Sequence, residues 1–277
     1  MKNRCCCFGC AAEGTVRTTS ARRGERAVYM CAFHANNLLG YSTENDFRIG
    51  TVKVNDFTFG LENETSYSTE KARAELLQDG FLPTSDCTVN VEYKSPIYNG
   101  MNAIVKHAKT IDNLIKSGDL IIGDECGTHT HVGHKTMINA ETMQYIRRFY
   151  NSLFVPLSDM MMNNPEATEA LFGRGFTYYA SPINMSSEAT AHVNFINTQH
   201  TYSLEFRLVK FVNYEQYVKV VHFCKDVTEA VVNNFVAHFN DEPKDARRYP
   251  TIRDYRLHKA QVAAEKIVKI FKKYAGI

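Results

Sequence analysis

From about Phe47 the hydrophobic and polar positions fall into short alternating runs separated by helical stretches. Phe57-Thr58-Phe59-Gly60-Leu61 leads into Glu62-Asn63-Glu64-Thr65 and reads as a strand. Thr69 to Gln78 reads as a short helix closed by Gly80, and Thr88 to Tyr93 as a strand that stops at Pro96. Ala103 to Lys116 places Ile104, Ala108, Ile111, Leu114 and Ile115 on one helical face, with Gly118 beyond its end. Gly127 to Gly133 is a strand rich in Thr, His and Val. Asn139 to Asp159 reads as a long helix that Pro156 is expected to kink or end. Ala191 to Ile196 and Tyr202 to Phe211 suggest a hairpin, and Tyr214 to Phe239 and Arg256 to Tyr274 suggest helices. Strands and helices follow each other irregularly rather than as βαβ units. That order predicts an α+β fold with an antiparallel sheet.

Three of these strands carry chemistry at alternate positions. Residues i and i+2 of a strand share a face and lie about 6.5 to 7 Å apart. Glu62 and Glu64 therefore stand side by side, which is costly for two carboxylates unless a positive group lies between them. The plain alternative is a solvent-facing strand with charge on its outer side. His129 and His131 repeat the geometry between Gly127 and Gly133, where glycines permit close approach; two histidines hydrogen-bonded on a polar face are the alternative. Glu205 and Arg207 form a third pair, with Leu204, Phe206 and Leu208 on the opposite face, and a surface ion pair would look the same. Glu92 adds a carboxylate near the end of another strand. Taken together, Glu62, Glu64, Glu92, His129 and Glu205 are mostly hard oxygen donors, a set that suits Mg²⁺ or Mn²⁺ better than zinc. Carboxylates around such ions are a common way to hold a nucleotide's phosphates.

Composition narrows the class without choosing it. The 277 residues are 44% hydrophobic and 22% charged, with a formal net charge of +2, ordinary for a globular chain and without the charge of a nucleic-acid polyelectrolyte. No apolar run approaches the roughly 18 to 20 residues that span a bilayer. The N-terminus is cysteine-rich and then basic, unlike a secretory signal, so a cytoplasmic location is expected. Five of the eight cysteines fall in the first 31 residues. Cys7-x-x-Cys10 followed by Cys31-x-x-His34 has the spacing of a structural Zn²⁺ site, with Cys5 or Cys6 able to replace Cys7. A zinc-finger-like module over residues 1–45, with a possible role in binding a protein partner, and a catalytic body over residues 46–277 are the expected division.

The ordered motifs resemble those of the amidoligases, relatives of glutamine synthetase and glutamate–cysteine ligase. The matching pieces are Gly60-Leu61-Glu62-Asn63-Glu64, Asp86 with Glu92-Tyr93-Lys94-Ser95-Pro96, Cys126-Gly127-Thr128-His129-Thr130-His131 and Leu204-Glu205-Phe206-Arg207. The resemblance implies an antiparallel sheet curled into a partial barrel, with helices outside and the active site in its concave face. It implies ATP-dependent amide formation through an acyl phosphate, from a small-molecule or peptide carboxylate and an amine. By position, Glu62, His129 and Glu205 look like ligands of the metal on the ATP phosphates, and Glu64 and Glu92 like ligands of the metal nearer the substrate. Arg207 looks like the cation facing the transferred phosphoryl group. Arg174, in Phe172-Gly173-Arg174-Gly175, is a candidate phosphate or carboxylate contact, or else an ordinary loop arginine. Of the two histidines, His129 is the expected ligand. Where the family carries aliphatic residues before Ser-Pro, this chain has Tyr93-Lys94. Lys94 is expected to point away from Tyr93 and to leave the metal site undisturbed. Two other functions stay open on sequence: a zinc hydrolase using His129 and His131, and a non-catalytic zinc-containing binding module.

Overall fold

The computed structural model of the chain describes residues 16–20, 26–30, 57–84, 91–138, 140–199, 202–245 and 251–277. The proposed zinc ligands Cys7, Cys10, Cys31 and His34 lie outside them, as does Asp86. Strands β1 (Val16–Ser20) and β2 (Arg26–Met30) pair antiparallel as a two-stranded sheet.

The body follows from β3 (Phe57–Thr65), its longest strand. Next come β4 (Tyr67–Ser68), α1 (Glu70–Gln78), β5 (Leu82–Thr84), β6 (Val91–Lys94), β7 (Tyr98–Asn99) and α2 (Met101–Lys116). Then follow β8 (Leu120–Ile121), β9 (Thr128–His134), α3 (Ala140–Arg148), α4 (Tyr150–Met162) and α5 (Pro165–Phe172). The chain ends with β10 (Ile196–Asn197), β11 (Ser203–Phe206), α6 (Tyr214–Asp245) and α7 (Ile252–Ala275). Strands β10-β11-β9-β3-β6-β5 form one antiparallel sheet in that order, with β7 also on β3. Its two ends do not pair with each other, so the sheet is open and not closed into a barrel.

Alternation decides which face is buried. Phe59 and Leu61 on β3, Val132 on β9, and Leu204 and Phe206 on β11 are all at most 1% exposed and face α2 and α6. Phe223 of α6 meets Phe206, Phe172 of α5, and Phe271 and Tyr274 of α7 at ring-centroid distances of 5.3 to 6.5 Å. This aromatic cluster ties the sheet to the helices behind it. Helix α7 packs on both α6 and α4.

Local chemistry ends the elements. Thr69 caps α1, its hydroxyl accepting from the Ala72 N–H at 3.1 Å. Ser95 spans the gap between β6 and β7 along β3: its N–H donates to the Leu61 carbonyl at 2.8 Å, and its hydroxyl accepts from the Leu61 N–H at 2.9 Å. A side chain thus supplies the acceptor where Pro96 interrupts the strand. Gly173 closes α5 at φ +79°, and a Cβ there would fall 2.5 Å from the Lys210 carbonyl oxygen.

Two helical expectations change. The long helix breaks into α3 and α4 at Phe149, while Pro156 sits inside α4. The break is slight, because the Phe149 N–H still reaches the Tyr145 carbonyl at 3.1 Å and the Phe149 carbonyl still accepts from Leu153 at 2.9 Å. Helix α5 was not expected, although Pro165 at its first turn and Gly173 after its last residue are the usual boundary signals. Among the described residues, no helix is long and apolar enough to cross a membrane.

Candidate active site

Antiparallel register brings the alternating pairs together. Glu62 pairs with His129 on one side and Lys94 on the other, Glu64 with Glu92, and Glu205 with His131. Pleating sends all of these to the face opposite α6, since Leu61, Asn63, Tyr93, Thr130 and Leu204 take the other face. Gly60 lies opposite His131, where a Cβ would come within 3.5 Å of the imidazole's own Cβ.

His129 is the hub. Its Nδ1 lies 3.5 Å from Glu62 Oε2 and 3.3 Å from Glu205 Oε1, and its Nε2 lies 3.5 Å from Glu64 Oε1. His131 Nε2 stands 3.6 Å from Glu62 Oε2. Glu205 is 2% exposed; Asn197 donates to its Oε2 at 2.7 Å and Arg207 to its Oε1 at 2.6 Å. The Arg207 Nε also donates to the Tyr179 carbonyl at 3.2 Å. Glu64 accepts from the Gly127 N–H at 2.5 Å. The Glu92 carboxylate accepts from the Thr84 hydroxyl at 2.9 Å.

Lys94 corrects an expectation. It does point away from Tyr93, but that direction is the face of Glu92. Its Nζ lies 3.0 Å from Glu62 Oε1 and 3.1 Å from Glu92 Oε2, inside the acidic group that it was expected to leave undisturbed. Arg174 is placed differently again. Its guanidinium donates to the backbone carbonyls of Leu208, Cys126 and Arg207 at 3.1, 3.3 and 2.8 Å, fastening the segment before β9 to the one after β11. It is a partly buried cation beside Glu64, with most of its donors already engaged.

The electrostatics are those of a dense mixed-charge cluster. Burial by itself pushes the Glu62 carboxyl up, but His129, His131 and Lys94 outweigh it and hold the group well below the usual carboxylate range. Burial opposes the charged form of His131, and the Glu62 and Glu205 carboxylates more than offset that and raise it. Lys94 is shifted up by Glu62 and Glu92 against the same desolvation. For Arg174, burial wins and lowers its affinity for the proton despite Glu64 nearby.

Two groups of side chains have the donors and spacing to hold a cation. One ligand atom each from Glu62, His129 and Glu205 lie within 4.8 Å of one another, and so do atoms from Glu64, Glu92 and His129. A Mg²⁺ bound at about 2.0 to 2.1 Å from its ligands has donors roughly 3 to 4 Å apart, and the His129 nitrogens lie 3.3 to 3.5 Å from oxygens of Glu62, Glu205 and Glu64. His129 Nδ1 is buried without a hydrogen bond, although two carboxylate oxygens stand close to it. An ion between them would satisfy all three. In both groups the imidazole is that of His129, and His131 belongs to neither. The sequence reading missed Thr84 and Asn197, which orient Glu92 and Glu205; nothing in the linear pattern marked them.

The fold and this face define a mixed α/β chain whose antiparallel sheet gathers carboxylate and imidazole donors that could hold a cation. A family model described as "putative amidoligase enzyme" matches residues 16–272, and the chain belongs to that family, whose description is that of an amide-bond ligase. The match extends beyond the motif-bearing strands to include β1, β2 and most of α7. A comparison with curated proteins returned no match.

Proposed function

We propose that the chain is an ATP- and Mg²⁺-dependent carboxylate–amine ligase that works through an acyl phosphate. The observation supporting this is the meeting of Glu62, Glu64, Glu92, His129 and Glu205 on one face as two ligand groups, with Arg207 anchored at their edge. Glu62, His129 and Glu205 would hold the ion on the nucleotide phosphates, and Glu64 and Glu92 the ion nearer the acceptor. When bound, Mg²⁺ supplies charge neutralisation at the phosphates and at the carboxylate being activated.

The chain's own groups do the positioning. Asn197 and Arg207 fix Glu205, the Gly127 N–H fixes Glu64, and Thr84 fixes Glu92, so the carboxylates are oriented before any substrate arrives. Glu205 and the Tyr179 carbonyl hold the planar guanidinium of Arg207, leaving its remaining N–H groups for phosphoryl oxygens. No protein nucleophile is required. A substrate carboxylate oxygen attacks the γ-phosphorus, and the bond to the β–γ bridging oxygen breaks as ADP leaves. The amine nitrogen then attacks the acyl carbon, expels phosphate and loses one proton.

The test is coupled turnover. Purified protein with ATP and Mg²⁺ should release ADP and phosphate only when a carboxylate and an amine are both present. Glu64→Ala and Arg207→Ala should each abolish that release while still folding, shown by a cooperative melt, with Arg207→Ala melting lower because the buried Glu205 carboxylate loses a donor. Normal turnover in both variants would sink the proposal. A structural Zn²⁺ on Cys7, Cys10, Cys31 and His34 is a separate element of this reading. One zinc per full-length chain, lost on Cys10→Ser, is its expected signature.

A further inference from the structure

Lys94 has a place in this site that the proposed reaction does not use. Its position is fixed by the backbone: it lies opposite Glu62 in the β3–β6 pairing and two residues from Glu92 on the same strand. Both neighbours therefore share its face whatever rotamer it takes. The ammonium group reaches both carboxylates, at 3.0 and 3.1 Å, and so joins a member of one ligand group to a member of the other. This differs from a solvated surface pair. The two carboxylate side chains are only 16% and 9% exposed, so their charges are poorly screened, while the lysine side chain, 41% exposed, arrives from the open side.

We infer that Lys94 is a built-in competitor for the divalent cation, which weakens the hold of Glu62 and Glu92 on a free metal ion. A positive charge a few ångströms from an ion's ligands opposes the arriving ion directly, and it occupies ligand oxygens that the ion needs. Removing it leaves those ligands held: Glu62 keeps its contacts with His129 and His131, and Glu92 keeps the Thr84 hydroxyl. The two effects of a substitution therefore differ in sign. A lysine that only orients the carboxylates would give weaker metal binding when lost, whereas a competing charge gives tighter binding.

The inference rests on the reading that these groups bind divalent ions, and one titration separates the two. Mn²⁺ binding to the full chain is measured by calorimetry without nucleotide, for wild type, Lys94→Met, Lys94→Gln and Lys94→Arg. The neutral variants should bind Mn²⁺ about tenfold or more tightly than wild type, the direction that removing a nearby like charge dictates. Lys94→Arg should stay near wild type, because it keeps the charge. Wild-type binding that is unchanged or weakened in both neutral variants overturns the inference alone. An absence of Mn²⁺ binding in all four proteins overturns it together with the metal-site reading. Two neutral replacements of different polarity guard against one that misfolds, and matched thermal melts check this.

Discussion

Glu62 and His129 stand directly opposite each other across β3 and β9, with a carboxylate oxygen 3.5 Å from the imidazole Nδ1. Sixty-seven positions of chain separate them, and strand register alone unites them. That register is fixed from behind. Phe59 pairs with Val132 and Leu61 with Thr130 on the face packed against the helices, so a slip by one residue would turn the charged side chains into the apolar helix-packed face.

Gly127 is closely surrounded by groups of the site. A Cβ there would lie 2.8 Å from the Arg174 guanidinium, 3.1 Å from His129 Nε2 and 3.2 Å from Glu64 Oε2. Gly127→Ala is expected to displace all three groups, costing about 1 to 3 kcal/mol of stability, as overpacking commonly does. Ligase turnover should fall much further than stability. Urea denaturation measured beside coupled turnover checks this, and a variant with wild-type turnover would contradict it.

Asn197 is fully buried, donates to Glu205 at 2.7 Å, and accepts from the Gln199 N–H at 3.0 Å. Asn197→Leu leaves a buried carboxylate oxygen with one donor fewer. A loss of about 1 to 3 kcal/mol is expected from that unsatisfied group. The unfolding midpoint in denaturant reports it, and Asn197→Asp, which adds a like charge beside Glu205, should be worse.

Arg174 spans three carbonyls with one rigid fork. Lysine keeps the charge but cannot reach all three, so Arg174→Lys should lower both the melting temperature and turnover. If the residue acted only through charge, the lysine variant would match wild type in both measurements.

Away from the site, Asp119 receives hydrogen bonds from Lys71, Ser117 and Thr69, which hold its carboxyl down at about 2 against an ordinary 3.8. The group is more acidic folded than unfolded, so its contribution is complete above the unfolded value and fades as pH falls from about 4 toward 2. Asp119→Asn should melt lower than wild type near neutral pH, and the gap should narrow across that acid window. A gap that stays constant there would refute the assignment.

Local alternation was legible in the sequence because a strand's period of two is a property of neighbouring residues. Glu62 with Glu64, and Glu205 with Arg207, share faces as their spacing requires. What the chain order does not contain is which strands become neighbours. The neighbour of Lys94 in sequence is Tyr93, whereas its surroundings are set by Glu62 on another strand. Thr84 and Asn197 were invisible for the same reason. Pro156 misled differently: the helix tolerated a missing N–H within α4 and broke instead at Phe149. Of the partial barrel implied by the family resemblance, the antiparallel sheet is present and open, since β10 and β5 end it without pairing with each other.

The hub position of His129 has a consequence for proton placement. Its Nδ1 faces Glu62 and Glu205, and its Nε2 faces Glu64. A neutral imidazole has one lone pair and one N–H, on opposite nitrogens. As a ligand in the proposed metal site it would coordinate through one nitrogen only and would turn its N–H toward a carboxylate on the other side. The choice of tautomer makes the two halves of the face chemically unlike, even though each contributes a similar pair of glutamates.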